Sequence, residues 1–381
     1  MYKFLHFIPP YFREFLLLIR GRLKRGYKKS IGEIIEMAQR DDKEFYHKSG
    51  DVRIWEKSFI KLCAATDNRG KMLAAEFYSN PIKILHENYP VNHQGMILIC
   101  AVKDELENMM KLYSHYQSLG VKQFAFIDNL SSDGFVDFFS ACSNVNLYQA
   151  QELYSSIRRQ AWINRIMARY GFDRWYLVVD SDEYLDYNNA DTKTVQDLVC
   201  FFESRRIKRG KAMMLDLYPR EIKFNDSNVD FLKEYKFFDS KGYTSLSARN
   251  SLLIDGMQGG VRGRIFSAEN TAHKPWLTKY PLMYLEAGDI QFQSHMSYPF
   301  YKNFKSKNHL VLRHYKFMPS DLTKYQQRAE NKNFSAESKE YLQYIQIIEK
   351  GTITFYDEGV SQAFLDHNSF YSIAQMKKID W

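Results

Sequence analysis

The ten residues YLVVDSDEYL (176–185) place three carboxylates, Asp180, Asp182 and Glu183, within four positions directly behind an apolar, β-branched-rich run. That run reads as a buried central strand. Acids at its carboxyl end repel one another, so a bound cation is the expected relief. Asp180 and Asp182 lie two apart, which on an extended backbone turns their side chains the same way. Both can then approach one hard divalent ion, Mn²⁺ or Mg²⁺, which takes oxygen ligands and leaves positions open for substrate phosphates. The alternative is a solvated acidic turn.

Further polar groups are expected at the same edge. A first strand, MILICAV (96–102), runs into Lys103-Asp104-Glu105, and a second, KQFAFID (122–128), runs into DNLSSDG (128–134). There Asp128 ends the strand, Asn129 follows, Ser131 or Ser132 can cap the next helix, and Gly134 permits a left-handed turn. A carboxylate at that point can accept hydrogen bonds from a base imide or a ribose hydroxyl; equally, it can close an ordinary Asx turn. In IRRQAWINRIMARYG, Gln160 and Asn164 fall one turn apart on one helix face. Arg158 and Arg159 at its start can hold a diphosphate or remain solvated.

Positioning these groups requires a repeating unit, and the chain supplies one. A helical stretch, ELENMMKLYSHYQSL, joins the first two strands; a helix from near Phe135, the strand-like VNLYQ (145–149), a helix over 156–170 and the strand ending at Asp180 complete the series. This alternation predicts an α/β fold, a mostly parallel sheet flanked by helices, with Asp180 closing its fourth strand. Ligands in such sheets bind beyond the carboxyl ends of the strands. No GxGxxG follows the first strand and no GxxxxGK[ST] occurs, which excludes the dinucleotide fingerprint and the phosphate-loop ATPases.

At 381 residues, 45% hydrophobic and 16% aromatic, the chain can bury one large domain, and disorder is excluded. The cysteines, Cys63, Cys100, Cys142 and Cys200, form no CxxC pair, so neither zinc nor a disulfide framework is indicated and a reducing compartment fits. Charge is concentrated: residues 1–30 carry a net +7 of the chain's +8. A nucleic-acid binder spreads basic residues over its folded body; nucleic acid is therefore not an expected partner. Within this arm Phe12, Phe15, Leu16 and Ile19 follow helical spacing behind Pro9-Pro10, and the basic run RGRLKRGYKK follows. The apolar stretch is too short to span a bilayer but suits a helix lying on an anionic membrane surface. The alternative is packing on the protein's own core. Arg13 and Glu14 interrupt any signal-peptide core.

Taken together, AVKDELE (101–107), HYQSLG (115–120), DNLSSDG (128–134), Gln160 with Asn164, WYLVVDSDEYL (175–185), GGVRGRIF (259–266) and LRHYKF (312–317) resemble the family 2 type of GT-A-fold glycosyltransferases, particularly its bacterial branch with a DxDE metal motif. The resemblance covers about residues 95–320. It implies a nucleotide-diphosphate sugar donor, a divalent cation and sugar transfer with inversion; the basic amphipathic start points to a membrane-bound acceptor, a saccharide or lipid-linked saccharide of bacterial surface polysaccharide. The resemblance further implies that Asp128 contacts the base, Asp180 the ribose or the metal, and Asp182 the metal, with His314 as the late metal-ligating histidine. Lys103, Asn129, Arg158, Gln160, Asn164, Gly260 and Arg262 complete the expected donor site; Gly259 and Gly260 would let backbone approach the sugar, and Arg262 or Arg264 would meet phosphate. The usual Glu-Asp pair for the base is absent here, leaving Asp289, Glu286 and Asp255 as candidates. Tyr218, Trp276, Tyr280 and Tyr284 are candidates for stacking on sugar rings. The expected organisation is a basic arm (1–30), a helical extension (31–94), a donor half (95–185), an acceptor half (186–320) and a helical C-terminal region (321–381), on the cytoplasmic face of the cell membrane. A metal-dependent nucleotidyl- or phosphotransferase, and a non-catalytic membrane-associated scaffold, are the competing readings.

Overall fold

The computed structural model describes residues 9–381 apart from 25, 42, 47–49, 67, 93–94, 223–229, 247–255, 267–274, 319–324, 327–329, 331–341, 343 and 346–352. Its centre is a nine-stranded sheet built from β1 (Ile82–Glu87), β2 (Ile97–Val102), β3 (Phe124–Asp128), β4 (Val145–Ala150), β5 (Arg174–Val178), β6 (Glu183–Asp186), β7 (Arg209–Asp216), β8 (Thr278–Leu285) and β9 (Asn308–His314). The spatial order is β1-β4-β3-β2-β5-β8-β7-β9-β6. Strands β4, β3, β2 and β5 are mutually parallel, as the strand–helix alternation predicts. β8 runs antiparallel to both β5 and β7; β9 runs parallel to β7 and antiparallel to β6.

The period-2 alternation of side chains feeds two cores, one on each face of the sheet. Leu98, Cys100, Phe124, Phe126, Trp175 and Leu177 face α5 (Leu106–Ser118), α6 (Phe135–Ser140) and α8 (Val195–Ser204). Ile97, Ile99, Ala125, Ile127, Tyr176 and Val178 face α2 (Tyr27–Arg40), α3 (Gly50–Ala65), α4 (Asn68–Ser79) and α7 (Ser156–Tyr170). Helix α7 is capped by Ser155, whose hydroxyl accepts from Arg158 N–H, and buries residues on almost every side, because α4 lies over it.

Two sequence expectations change. The 31–94 region is not purely helical: its end forms edge strand β1, antiparallel to β4. Its mixed sequence hid this strand because only Ile82 of it is fully buried. The C-terminal segment described from Ile353 onward consists of two-to-three-residue strands and a short 3₁₀ turn rather than helices. The first part of the expected helical region, 321–352, lies almost wholly outside the described residues.

Helix α1 (Pro10–Arg22) docks on α3 and on residues 300–304. A Cβ on Gly21 would collide with the Ala65 carbonyl, so the glycine permits this close approach. Glu14 accepts a hydrogen bond from Tyr301 N–H at 2.8 Å. Burial raises its carboxyl from 4.5 to about 7, although Tyr301 N–H, Arg209 and Lys302 pull the other way. A carboxyl raised in the folded state contributes stability that is complete below its unfolded value and is lost as pH rises through the folded one. Glu14→Gln keeps the acceptor but not the titration. Urea denaturation should therefore show the wild type losing on the order of 3 kcal/mol between pH 4.5 and pH 8 relative to the variant.

Candidate functional site

The three acids close β5 with a turn. Glu183 N–H donates to the Asp180 carbonyl at 3.1 Å, and the Glu183 carboxylate accepts from Asp180 N–H at 2.9 Å. Opposite them stands Lys279, near the start of β8, where the antiparallel register brings it level with Asp180. Its ammonium donates to Asp180 at 2.8 Å and to Glu183 at 2.5 Å. Arg159, buried in the first turns of α7, pairs with the other Asp180 oxygen. Burial alone would raise Asp180, but Arg159 and Lys279 hold it well below the usual carboxylate range. Burial pushes the Glu183 carboxyl up, against the pull of Lys279. The repulsion that a divalent ion was expected to relieve is thus already relieved by two side chains of the protein.

A second group of charges lies beside the first. Asp216 and His314 end β7 and β9, and Glu183 begins antiparallel β6, all three in register across the sheet. His314 Nδ1 contacts the Asp216 carboxylate at 2.6 Å, and Nε2 faces Asp182 Oδ2 at 3.2 Å. Arg262, from α9 (Gly260–Phe266), donates to the other Asp216 oxygen at 2.8 Å. Against the effect of burial, Arg262 and His314 hold Asp216 at about 2. Burial would lower His314, but Asp182 and Asp216 raise it to about 9. Among the described residues no set of three His, Cys, Asp or Glu side chains converges on a metal position. The pair Asp182 and His314 nevertheless fits two positions of a divalent ion: a histidine ligand ordinarily has its second nitrogen held by a carboxylate, as Asp216 holds Nδ1 here, and diphosphate oxygens can fill further positions.

The remaining expected residues divide. Lys103 is exposed at the same edge, in a loop that the next loop holds: Asp104 N–H donates to Ser131 Oγ, and the Asp104 carboxylate accepts from Ser132 N–H. These serines join two loops instead of capping α6. Asp128 is fully buried and accepts from Ser131 N–H and Gln149, an Asx-type closure of its own loop. Asn129 donates to the carbonyls of Ala150 and Glu152. Arg158 turns away to Glu76 on α4. Asn164 donates to the Gln160 and Gln291 carbonyls and accepts from Gln291 N–H, fastening α7 to the hairpin at 290–298. Gln160 is buried, with its amide oxygen unpaired. Gly260 takes a φ of +70° where α9 begins. A cavity of about 460 Å³ opens there, lined by Gly259, Gly260, Lys241, Thr244 and Gln258 among others.

The candidate bases are not brought to this cluster. Because β8 is antiparallel to β5, the strand that carries Lys279 near its start ends at the opposite edge, where Leu285 pairs with Arg174. Glu286 and Asp289 follow it there, held by Lys302, with Lys208 on Glu286 and Arg209 on Asp289. Asp255 lies outside the described residues. Tyr218 and Tyr280 are core residues and have no face for a sugar.

Sequence reasoning missed Lys279, Asp216 and His295. His295 Nδ1 contacts the Thr278 carbonyl at 2.7 Å, and burial and the Lys279 charge lower it to about 4, so the imidazole is neutral. The signal for Lys279 was a lone lysine inside the apolar run LTKYPLMYL. The internal counter-ions make one outcome expected: Lys279→Met, which strands buried Glu183, costs about 3 kcal/mol in urea denaturation. Asn164→Ala, which unpairs two buried backbone groups on the hairpin, costs about 2 kcal/mol by the same measurement and leaves nucleotide affinity unaltered. The chain matches no family model and no curated protein.

Proposed function

We propose that the chain is a metal-dependent, inverting glycosyltransferase with a GT-A-like core, moving a sugar from a nucleotide-diphosphate donor to a saccharide or lipid-linked acceptor at the cytoplasmic face of the cell membrane. The observation that carries this reading is the His314 imidazole held between Asp216 and Asp182 at the carboxyl end of the sheet. Asp182 and His314 would hold Mn²⁺ or Mg²⁺. The cation, when bound, neutralises the charge that develops on the departing nucleoside diphosphate.

The chain's own residues supply the rest. Asp216 fixes the His314 ring, so that Nε2 stays aimed at Asp182. Lys279 and Arg159 keep Asp180 ionised and in place. The loop carrying Lys103 brings a cation to the same edge for the diphosphate. His295 stays neutral beside the charges of Lys279 and Arg262, which make it a weak base; its role is to hold the acceptor hydroxyl by a hydrogen bond at Nε2. The glycine-lined cavity beside α9 gives the acceptor room.

Product analysis tests the reading. With Mn²⁺ and a panel of nucleotide sugars, release of nucleoside diphosphate supports it; release of pyrophosphate, or no mutual tightening of Mn²⁺ and nucleoside diphosphate by titration calorimetry, overturns it. Asp216→Asn should weaken Mn²⁺ binding about 10- to 100-fold. His295→Ala should raise the acceptor KM roughly tenfold while donor binding stays as in the wild type.

A further inference from the structure

We propose that α1 is a membrane-docking helix whose outward face lies in the headgroup region of an anionic bilayer. The helix packs inside out. The face turned to the protein carries Arg13 and Glu14, only 7% and 6% exposed, together with Gly21 and the half-buried Leu18. The outward face carries Tyr11, Phe12, Phe15 and Leu16, at 59%, 56%, 48% and 40% exposure. An ordinary surface helix does the reverse, turning its apolar stripe to the core and its charges to water.

The pattern identifies the partner. At about 100° per residue, Phe12, Phe15, Leu16, Ile19 and Leu23 form one stripe, and Leu23, just past the helix, is 79% exposed. Arg20 and Arg22 fall on either side of that stripe, and the exposed Lys24, Lys28 and Lys29 follow. Apolar and aromatic side chains flanked by basic ones match the bilayer interface, where the rings enter the acyl boundary and the cationic heads reach the phosphates. No described helix is long and apolar enough to cross a membrane, so the geometry is that of a helix lying on the surface. Its seat is firm: Glu14 is fastened to Tyr301 N–H, Arg13 stacks over Phe304, and Tyr11 meets the Tyr301 ring edge-on. Burying Arg13 and Glu14 fixes which face points outward. The surface stands independently of the sugar-transfer reading, because Glu14 sits by the Arg209 end of β7 and the acidic site lies at its Asp216 end.

Co-sedimentation of the full chain with vesicles tests the proposal. Binding is expected to mixed phosphatidylcholine–phosphatidylglycerol vesicles and to be much weaker to phosphatidylcholine alone. Phe12→Asp with Phe15→Asp should lower partitioning roughly tenfold or more, and Arg22→Gln roughly fivefold. Both changes are at exposed positions, so circular dichroism and melting temperature should stay as in the wild type. The proposal is overturned if the wild type ignores anionic vesicles or if the double variant binds them equally well. It is also overturned if the double variant instead dissolves a dimer that never sediments with lipid, which would make this face a contact between two copies of the chain.

Discussion

Lys279 stands between Asp180 and Glu183, and the arrangement of the site depends on that placement. Three acids in four positions at a strand end is an unstable arrangement, because like charges a few ångströms apart repel, most strongly at Glu183, which is wholly buried. One ammonium contacting two of them, with Arg159 on the far side of Asp180, converts the repulsion into a tie. The tie joins the last strand of the parallel block to β8, the strand that leads into the second half of the sheet. Asp182 is left with a different role, since it faces His314 rather than Lys279. The strand end is thereby divided into a neutralised, structural half and a half whose charge is balanced by an imidazole that can give up its proton.

How far the site was readable from sequence follows from distance along the chain. The alternating strands and helices between 96 and 180 were legible because each is local: a few residues of period 2, then a helical period, then a loop with Gly134 at its left-handed turn. Asp182 and His314 were legible as a pair only through a resemblance, and the structure brings them to 3.2 Å. Lys279 was not legible, since its partners lie about a hundred positions earlier and only strand pairing brings them level. The error over Glu286 and Asp289 has the same origin. A sequence shows that a strand is present but not which way it runs, and in β8 the direction decides whether its first or its last residue reaches the site.

Strand β7 shows why so many ionic groups are tolerated inside this fold. Its middle, from Ala212 to Leu215, is apolar and buried on both sides, while Arg209 at one end and Asp216 at the other are buried charges. Each end is satisfied from elsewhere: Arg209 by Asp289 and the carbonyls of residues 297–299, Asp216 by Arg262 and His314. Such pairs add little net stability over apolar residues of the same size. Their effect is on alternatives. A slip of one residue would move both charges off their partners and into the core, a cost of several kcal/mol at each end. The register of β7, and with it the alignment of Asp216 beside His314, is therefore specified by what the two ends cannot do without. The geometry at the acidic edge is held in part from the opposite edge of the sheet, where Asp289 and Lys302 have their place in the structure.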